Sequence, residues 1–433
     1  MKKSSMLKYG IALLLLCVCN TSYAEDTFTV NGITYKLATT STVVIVKMDV
    51  PSDGHVVFPS SIEYRDRTFT VTGIGIGGDC VFNNPEALES MVIPATIKGF
   101  GCSGSGLERY YSYIFDKCVN LKKVVIEDSE EDLYFYPNKS DSKRGGAMFC
   151  YCPLEEVYIG RNVSYITERV SGYGDFYYSP FKNQSKLKNV KIGEKVTTLG
   201  DAYMFGGCTS LEKIEIPGNI KEIPEKTFAG CSSLSNVILH EGLLTIKSEA
   251  FSDAPISSIS LPNSVVELGR RCLYGNNLIS IVINDNIKKI DDEAFYSSTL
   301  TKVVFGRSVE YIGGSVFGNS SLQEIVCRII NPENCKVAIH SSYRVEETFS
   351  TNNYTWATLY VPYGTIEKYK TYDPWYNFVT IVEGEPTGIS PVMTTSTQPI
   401  VVYDINGNQS LQPRKGVNIV RMSNGKTKKV VVK

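Results

Sequence analysis

A short apolar pattern that recurs six times between residues 205 and 322 constrains the fold of this chain more than any other feature. One position of the pattern holds Phe in five of the six copies and Leu in the fourth copy: Phe205, Phe228, Phe251, Leu273, Phe295 and Phe317. The residue numbers of these six positions show that successive copies are separated by a short and nearly constant number of residues. A coil of that length cannot enclose its own apolar side chains, so the copies must stack on one another.

Each copy also contains two aliphatic residues separated by one position. This spacing puts both side chains on one face of a strand and the middle residue on the other. Six pairs follow the repeated position: Ile214/Ile216, Val237/Leu239, Ile259/Leu261, Ile281/Ile283, Val303/Phe305 and Ile325/Cys327. Four more lie upstream at a longer, constant interval: Met91/Ile93, Val124/Ile126, Val157/Ile159 and Val190/Ile192. The sequence therefore predicts about ten coils of 22–33 residues in a mainly β solenoid with short turns and 3-10 segments.

The segments "FAGCSSLSNVILHEGLLTIKSEAF" and "CTSLEKIEIPGNIKEIPEKTF" resemble the BspA-type leucine-rich repeat of bacterial surface proteins, notably those of Bacteroidetes. The resemblance covers about residues 56–327 and is weakest in the longer upstream coils and at Leu273. It implies a leucine-rich repeat solenoid on an exported cell-surface protein that binds other molecules and is not an enzyme.

The two ends of the chain differ from the repeats. Lys2 and Lys3, the apolar run "IALLLLCV" and the small residues before the end of this segment at Ala24 are typical of a signal peptide. Export places the protein outside the cell or on the outer cell surface, with the periplasm as the alternative. The predicted organisation is a signal peptide (1–24), an N-terminal β cap (25–80), the solenoid (81–327), a C-terminal cap (328–384), a linker (385–399) and a small β-module (400–433). The β-module resembles a secretion-sorting domain of exported Bacteroidetes proteins; a module that only protects the C-terminus is the alternative.

Composition and motifs exclude several classes of function. The formal net charge of -1 argues against nucleic-acid binding, which needs a basic surface. No apolar run after the signal peptide approaches the ~20 residues of a membrane helix. The three His residues are far apart in the sequence, so we predict no catalytic residue, no metal site and no cofactor. The acidic segment "DSEEDL" is interpreted as a solvated loop, with weak calcium binding as the alternative.

The cysteines allow two interpretations. Cys118, Cys208 and Cys231 occupy the same place relative to a preceding Phe, in the pattern F-x-x-C, which predicts small buried side chains stacked in the core. Cys327 and Cys335 lie outside that position and are either a disulfide or two free thiols.

Two surfaces are candidates for binding. The first is the solvent side of the strands, where the middle residues of the pairs include many apolar side chains: Val92, Val125, Tyr158, Lys191, Glu215, Ile238, Ser260, Val282, Val304 and Val326. An apolar stripe in water can mark a partner site, although β-branched residues also favour strands for their own sake. The second is a set of tyrosines in the upstream insertions, which either bind a ligand or pack within their own loops: Tyr110, Tyr111, Tyr113, Tyr134, Tyr136, Tyr173, Tyr177 and Tyr178.

The leading hypothesis is an exported, non-enzymatic recognition or adhesion protein. Its expected partners are proteins of a host or of neighbouring cells first, and glycans second. A glycan-binding or glycan-processing accessory and a structural surface spacer are the alternatives. The pattern leaves the oligomeric state open.

Overall fold

The chain divides into two compact units, Met1–Glu385 and Pro386–Lys433. The computed structural model describes residues 27–75, 80–100, 114–115, 117–135, 148–149, 152–165, 167–170, 174–177, 179–338, 347–386, 399–404, 409–410, 416–422 and 427–432. The predicted signal peptide lies outside these residues. Unit 1 is a mainly β solenoid, as the repeat pattern predicts. Parallel strands lie on two of its sides and a column of turns lies on the third.

The N-terminal segment is a small β cap. Its strands are β1 (Thr27–Val30), β2 (Ile33–Leu37), β3 (Thr42–Lys47), β4 (His55–Val57), β5 (Ser61–Tyr64) and β6 (Arg67–Ile74). Strands β1 and β2 form a hairpin, and its turn residues Asn31 and Gly32 have positive φ values of 49° and 79°, as a type I′ turn requires. Strand β3 pairs in parallel with β6, which joins the cap to the solenoid.

The first side of the solenoid, called here the strand face, carries most of the predicted strand pairs. Its first sheet has the order β15-β11-β9-β7-β4. The strands added to β4 are β7 (Ser90–Ile93), β9 (Lys123–Ile126), β11 (Glu156–Ile159) and β15 (Asn189–Ile192). A two-stranded sheet follows: β16 (Lys213–Ile216) and β18 (Asn236–Leu239). The last sheet contains β21 (Ser280–Val282), β23 (Lys302–Phe305), β25 (Glu324–Cys327), β27 (Thr358–Val361) and β28 (Thr380–Glu383).

One predicted strand pair is wrong. Ile259 and Leu261 lie in a coil that forms only an isolated bridge between Asn236 and Ser258, so the strand face is interrupted there. Pro262 follows directly and has no N–H to donate to the preceding coil.

The second side is also a parallel sheet, and it extends into the upstream coils, where the sequence pattern hid it. Upstream it is formed by β8 (Gly99–Phe100), β10 (Leu133–Phe135) and β12 (Val163–Tyr165), which continue the sheet of β6. Downstream it is formed by β17 (Glu222–Ile223), β19 (Thr245–Ile246), β20 (Glu267–Leu268), β22 (Lys289–Ile290), β24 (Tyr311–Ile312) and β26 (Lys336–Val337). The insertions are therefore not only surface loops, because Phe100, Leu133 and Phe135 are buried in the core. The third insertion also contains the hairpin of β13 (Thr167–Val170) and β14 (Gly174–Tyr177).

The third side is a column of tight turns built around the repeated Phe. Neighbouring rings stack through the core, with centroid separations of 5.9, 5.6 and 5.3 Å from Phe181 through Phe205 and Phe228 to Phe251. The column also runs upstream through Phe149, Phe115 and other rings that lie outside the six counted copies. Leu273 interrupts it, and stacking resumes between Phe295 and Phe317 at 6.0 Å.

The last residue of the F-x-x-C pattern adds a hydrogen bond between coils. The thiols of Cys208 and Cys231 donate to the carbonyl oxygens of Phe181 and Phe205, each with a donor–acceptor distance of 3.2 Å. In the coil that lacks a cysteine here, the Gln184 amide donates to Phe149 O at 2.7 Å. The two cysteines are buried and form no disulfide, and burial raises the pKa of the Cys231 thiol to about 12. The position is thus a buried hydrogen-bond donor as well as a small hydrophobic group.

Each turn also places a non-glycine residue in the left-handed region, and these residues form an outer column. Its members, with φ between 51° and 58°, are Tyr203, Lys226, Glu249, Arg271, Glu293 and Ser315. Neighbours in the column interact: Lys226 Nζ lies 3.6 Å from Glu249, and the Arg271 guanidinium donates two hydrogen bonds to Glu293 at 2.7 and 2.8 Å. These contacts offset part of the cost of the left-handed backbone.

A cap of two short helices closes the downstream end of the core. Helix α1 (Thr351–Trp356) begins at a capping box made by Ser350 and Asn353. Helix α2 spans Ile366–Tyr369. Trp375 is fully buried against the rings of Phe305 and Phe349. Cys327 and Cys335 are free buried thiols here rather than a disulfide.

The hydroxyl of Tyr369 ties α2 to the last coils. It donates to Ile329 O at 2.5 Å and lies 3.1 Å from the sulfur of Cys327. In unit 2 the described strands form an antiparallel sheet of order β30-β29-β31-β32: β29 (Pro399–Asp404), β30 (Gln409–Ser410), β31 (Gly416–Met422) and β32 (Thr427–Val432).

We expect Phe228→Ala to lower the free energy of unfolding by about 3–5 kcal/mol, because it removes a ring stacked on both sides within a fully buried column. Phe228→Leu is the matched control and should cost roughly half as much, since Leu273 fills the same position in another coil. Urea unfolding of the full mature chain measures both. Equal stability of the two variants would contradict a role for the ring column.

Candidate binding groove on the strand face

The strand face is broken between the coil of β15 and the coil of β16. Strand β15 pairs only with β11, and β16 pairs only with β18. In the intact upstream coils, the N–H of Gly160 donates to Ile126 O at 2.9 Å and that of Gly193 to Ile159 O at 2.7 Å. Pro217 occupies the corresponding position in the next coil and has no N–H, so this bond cannot form. A proline here does not by itself break the ladder, because Pro94 follows β7 in the same way and β7 pairs with β4.

Tyr165 lies in β12, where the upstream sheet of the second side ends, near the same coil. Its ring is buried, and a Cβ added to Gly200 would lie only 2.4 Å from it. The Tyr165 hydroxyl donates to Ala202 O at 2.6 Å. Phe100 and Phe135 hold the same register position in the paired upstream strands, and residues 193–212 form no strand. The two parallel sheets are therefore both interrupted near this point.

A groove of about 1260 Å³ opens on the strand face at this break. Charged side chains and Tyr158 line its walls: Lys123, Asp128, Glu156, Tyr158, Lys188, Lys191, Glu194, Lys195, Lys213, Glu215, His240 and Glu241. Its floor includes Val157, Val190 and Ile192, which belong to the apolar side of the strands. Ile192 is 8% exposed, whereas Ile159 and Ile216 in the neighbouring coils are fully buried. Because the strand ladder is missing here, a small part of the core is exposed to solvent at the groove.

Tyr158 and Asp128 form a fixed pair at one side of the groove. The Tyr158 hydroxyl donates to Asp128 Oδ1 at 2.7 Å, and this bond is the main reason that the Tyr158 pKa is raised to about 12. Gly160 and Gly193 make room for the pair: a Cβ on Gly193 would lie 2.8 Å from the Tyr158 oxygen, and one on Gly160 would lie 2.6 Å from Asp128 Oδ1. Lys191 Nζ lies 5.7 Å from the centre of the Tyr158 ring, within the range of a cation–π contact.

Most carboxylates of the groove already have protein partners. Glu156 pairs with Lys123 at 3.1 Å, and Glu215 lies 2.7 Å from the imidazole of His240. Glu241 accepts hydrogen bonds from the backbone N–H of Asn263 and Ser264, each at 3.0 Å.

The lysines of the groove have fewer protein partners than its carboxylates. Lys188, Lys191 and Lys213 are exposed and make no ion pair with any residue that the structure describes. The groove lining contains five lysines and five carboxylates, so charges of both signs face a ligand there.

The acidic segment next to the groove is tied to the protein by its carboxylates. Glu127 accepts from the N–H of Ala95 at 3.1 Å, Glu130 pairs with Lys195 at 2.5 Å, and Glu131 pairs with Lys98 at 2.9 Å. Asp132 accepts from Asn162 and Ser164. These contacts make the segment a structural element of the solenoid. Within the described ranges, no group of three or more His, Cys, Asp or Glu side chains is arranged to hold a metal ion.

The structure places the residues predicted on the strand face in two classes. Val125, Tyr158, Ile238 and Val282 are partly exposed there, and of these Tyr158 lines the groove. The exposure predicted for Val304 and Val326 is wrong, since they are only 3% and 1% exposed. Both project away from the solenoid core and are not part of it. Pairing on both sides does not by itself bury these positions, because Val125 lies in the interior strand β9 and is partly exposed.

Few of the tyrosines predicted in the upstream insertions lie among the described residues. Tyr134 lies in β10, on the second side of the solenoid and away from the groove, and only the backbone of Tyr177 is described, in β14. The other six predicted tyrosines lie outside the described residues: Tyr110, Tyr111, Tyr113, Tyr136, Tyr173 and Tyr178.

Sequence reasoning missed the groove as a site. It singled out Tyr158, Lys191 and Glu215 only as members of a row, and it overlooked Lys188 and Lys213. The available signal was a change of spacing, because the interval from Val190 to Ile214 is shorter than the constant interval between the upstream pairs.

A model of the BspA type leucine rich repeat region matches the sequence in six copies, over residues 145–265 and 226–336. Residues 145–336 are a BspA-type leucine-rich repeat region. The groove thus lies in the BspA-type repeats and the coils just before them. No curated protein matches the chain. No helix among the described residues is both long and apolar enough to span a bilayer.

Several solved structures are similar to this chain. A leucine-rich repeat protein from Bacteroides ovatus is 20% identical, with 83% of this chain and 100% of that chain covered and a TM-score of 0.41. The pneumococcal vaccine antigen PcpA is 19% identical, with coverages of 84% and 100% and a TM-score of 0.34. A leucine rich cell surface protein from Faecalibacterium prausnitzii is 17% identical, with coverages of 85% and 97% and a TM-score of 0.34.

We expect Asp128→Asn to lower the pKa of Tyr158 from about 12 towards the ordinary value of 10.0, because the negative acceptor is lost. A phenol pKa that is raised in the folded state stabilises the fold below pH 10 and loses this contribution as the pH rises towards 12. A titration of tyrosinate absorbance for the variant and the parent chain measures the shift. Asp66→Asn, in an exposed turn, is the control; a curve for Asp128→Asn that matches this control would contradict the assignment.

Proposed function

We propose that this protein is an exported recognition protein without enzymatic activity, and that it binds a partner protein through the strand-face groove. The observation that carries the proposal is the groove itself, opened where the strand ladder fails between β15 and β16. Stacked repeats present extended surfaces, and an interruption gives such a surface a defined pocket. The signal-peptide pattern of residues 1–24 supports export.

The groove has the composition of a protein-binding site. It combines an aliphatic floor, one tyrosine and a charged rim, which is the arrangement of many protein–protein interfaces. Tyr158 is held in place by Asp128 and the two glycines beneath it, so little side-chain entropy is lost when a partner covers the ring. These features favour proteins over glycans as first partners.

The carboxylates of the groove favour recognition over glycan hydrolysis. A glycosidase needs one carboxylic acid and one carboxylate facing each other across the substrate. Glu156, Glu215 and Glu241 are instead engaged by a lysine, a histidine and backbone N–H groups. Their charge contributes to the rim and to the orientation of the neighbouring side chains.

The experiment presents the immobilised full mature chain to extracellular-matrix proteins and to a glycan array. We expect protein retention, and we expect the double variant Tyr158→Ala/Lys191→Ala to weaken it by about tenfold or more, as for a central aromatic contact. Tyr274→Ala is the control, because Tyr274 is a partly exposed tyrosine stacked on Tyr296 in the turn column.

Retention that survives the double variant would move the binding site elsewhere on the chain. Binding to glycans alone would support the glycan-binding alternative, and polysaccharide hydrolysis would overturn the non-enzymatic assignment. A chain that retains nothing would contradict recognition and favour a structural spacer.

A further inference from the structure

We infer that Arg161 is a positioning residue for the groove: its buried guanidinium fixes the acidic segment next to the groove (127–132), and through it the carboxylate of Asp128 that holds the Tyr158 ring. The inference rests on the proposed function, in which Tyr158 contacts the partner. It adds a residue that acts on the site without touching a ligand. Three observations support it: the burial of Arg161, its hydrogen bonds across a whole coil and the charges around it.

Arg161 departs from the repeat at its own position. It is the second residue after β11, and the residues in the same place after β9 and β15 are Asp128 and Glu194. Both of these acids are exposed, whereas Arg161 is fully buried. A buried guanidinium is costly unless hydrogen bonds and opposite charges replace its water. The inward direction of this side chain is therefore set by the groups that it contacts.

The guanidinium of Arg161 reaches across one whole coil. Its Nη1 donates to Ala95 O and its Nη2 to Pro94 O, each at 2.9 Å. Both carbonyls follow β7, and β9 lies between β7 and β11 in the sheet. The backbone N–H of Ala95 in turn donates to Glu127 Oε2 at 3.1 Å. Ala95 thus links Arg161 to the first carboxylate of the acidic segment.

The acidic segment is longer than the corresponding part of the coil before it. Ile126 pairs with Ile93 at one end of the segment. Tyr134 pairs with Gly99 at the other end, and more residues lie between Ile126 and Tyr134 than between their two partners. Residues without a counterpart in the neighbouring coil cannot be held by strand pairing. The place of this segment therefore depends on the side chains that it contacts.

Negative charge surrounds the guanidinium on the side of this segment. Burial lowers the pKa of Arg161, and three carboxylates act in the opposite direction: Glu127, Glu131 and Asp132. Without the cation, these like charges repel one another and push the segment outwards. Asp128 belongs to the same segment and accepts the hydrogen bond of the Tyr158 hydroxyl. Displacement of the segment would therefore separate Asp128 from the ring.

The test measures the phenol titration of Tyr158 in Arg161→Met, since methionine fills a buried site without a charge or a donor. The difference in tyrosinate absorbance between each full mature chain and its Tyr158→Phe version isolates this phenol. We expect the pKa of Tyr158 to fall from about 12 towards 10.0, because the carboxylate moves away. Retention of matrix proteins should weaken by about two- to tenfold, which is the cost of ordering a freed side chain on binding.

Arg271→Met is the matched control. Arg271 donates two hydrogen bonds to Glu293 in the turn column, so its loss should leave the Tyr158 titration and the retention as they are in the parent chain. Arg161→Lys keeps the charge but replaces the planar fork, which reaches two carbonyls, by a single ammonium. We expect it to shift the Tyr158 pKa in the same direction by a smaller amount.

A double variant tests whether Arg161 acts through Asp128. In the Asp128→Asn background, Arg161→Met should produce no further change in the Tyr158 titration, because the group that transmits the effect is already lost. A further shift in that background would overturn the inference.

A folded Arg161→Met chain in which Tyr158 titrates as in the parent would also overturn it. Circular dichroism reports whether that variant folds. If it does not fold, Arg161→Lys decides, and a parental titration of Tyr158 in that variant would overturn the inference. If the parent chain retains no matrix protein while the Tyr158 pKa falls in Arg161→Met, the proposed function is wrong and the positioning role of Arg161 stands.

Discussion

The stacking of each coil on its neighbours is the interaction on which the whole of unit 1 depends. No coil can bury its own apolar residues, so stability comes from the interfaces between coils. Those interfaces exist on three sides, and they are separate enough that one can fail while another holds. Between residues 181 and 205 the Phe column is continuous at 5.9 Å, although the strand ladder between β15 and β16 is missing. The groove is therefore an opening on the strand face where the Phe column still joins the two coils.

The scaffold is predictable from sequence because burial has a period. The aromatic position, most strand pairs and the buried cysteines follow from counting, since each position meets the same environment in every coil. Two features of the scaffold do not follow from the period of the repeat. The second sheet of the upstream coils is embedded in insertions whose length hides the register of Leu133 and Phe135. The cysteine position is also a hydrogen-bond donor, which becomes evident only when Gln184 is found making the same bond.

The groove is less predictable from sequence than the scaffold. It depends on a missing strand pairing between two coils and not on the residues that repeat within each coil. Alternation along a strand correctly placed Tyr158 on the solvent side, but it carries no information about whether the next strand pairs. The missing pairing between β15 and β16 becomes evident only when adjacent coils are compared in the structure. Val304 and Val326 show the same limit, because both point away from the core and yet are buried.

A break in a solenoid is a favourable place for a binding site for an energetic reason. In a nearest-neighbour array the cost of an interruption is confined to one interface, so distant coils keep their stability. The interruption also changes the chemistry of the surface. It exposes the edge of the apolar core beside charged side chains. Glycines at positions 160 and 193 then allow Asp128 to reach across and fix Tyr158. Specific recognition in this protein is thus expected where the period of the repeat changes, and the regular coils on either side serve to hold that place rigid.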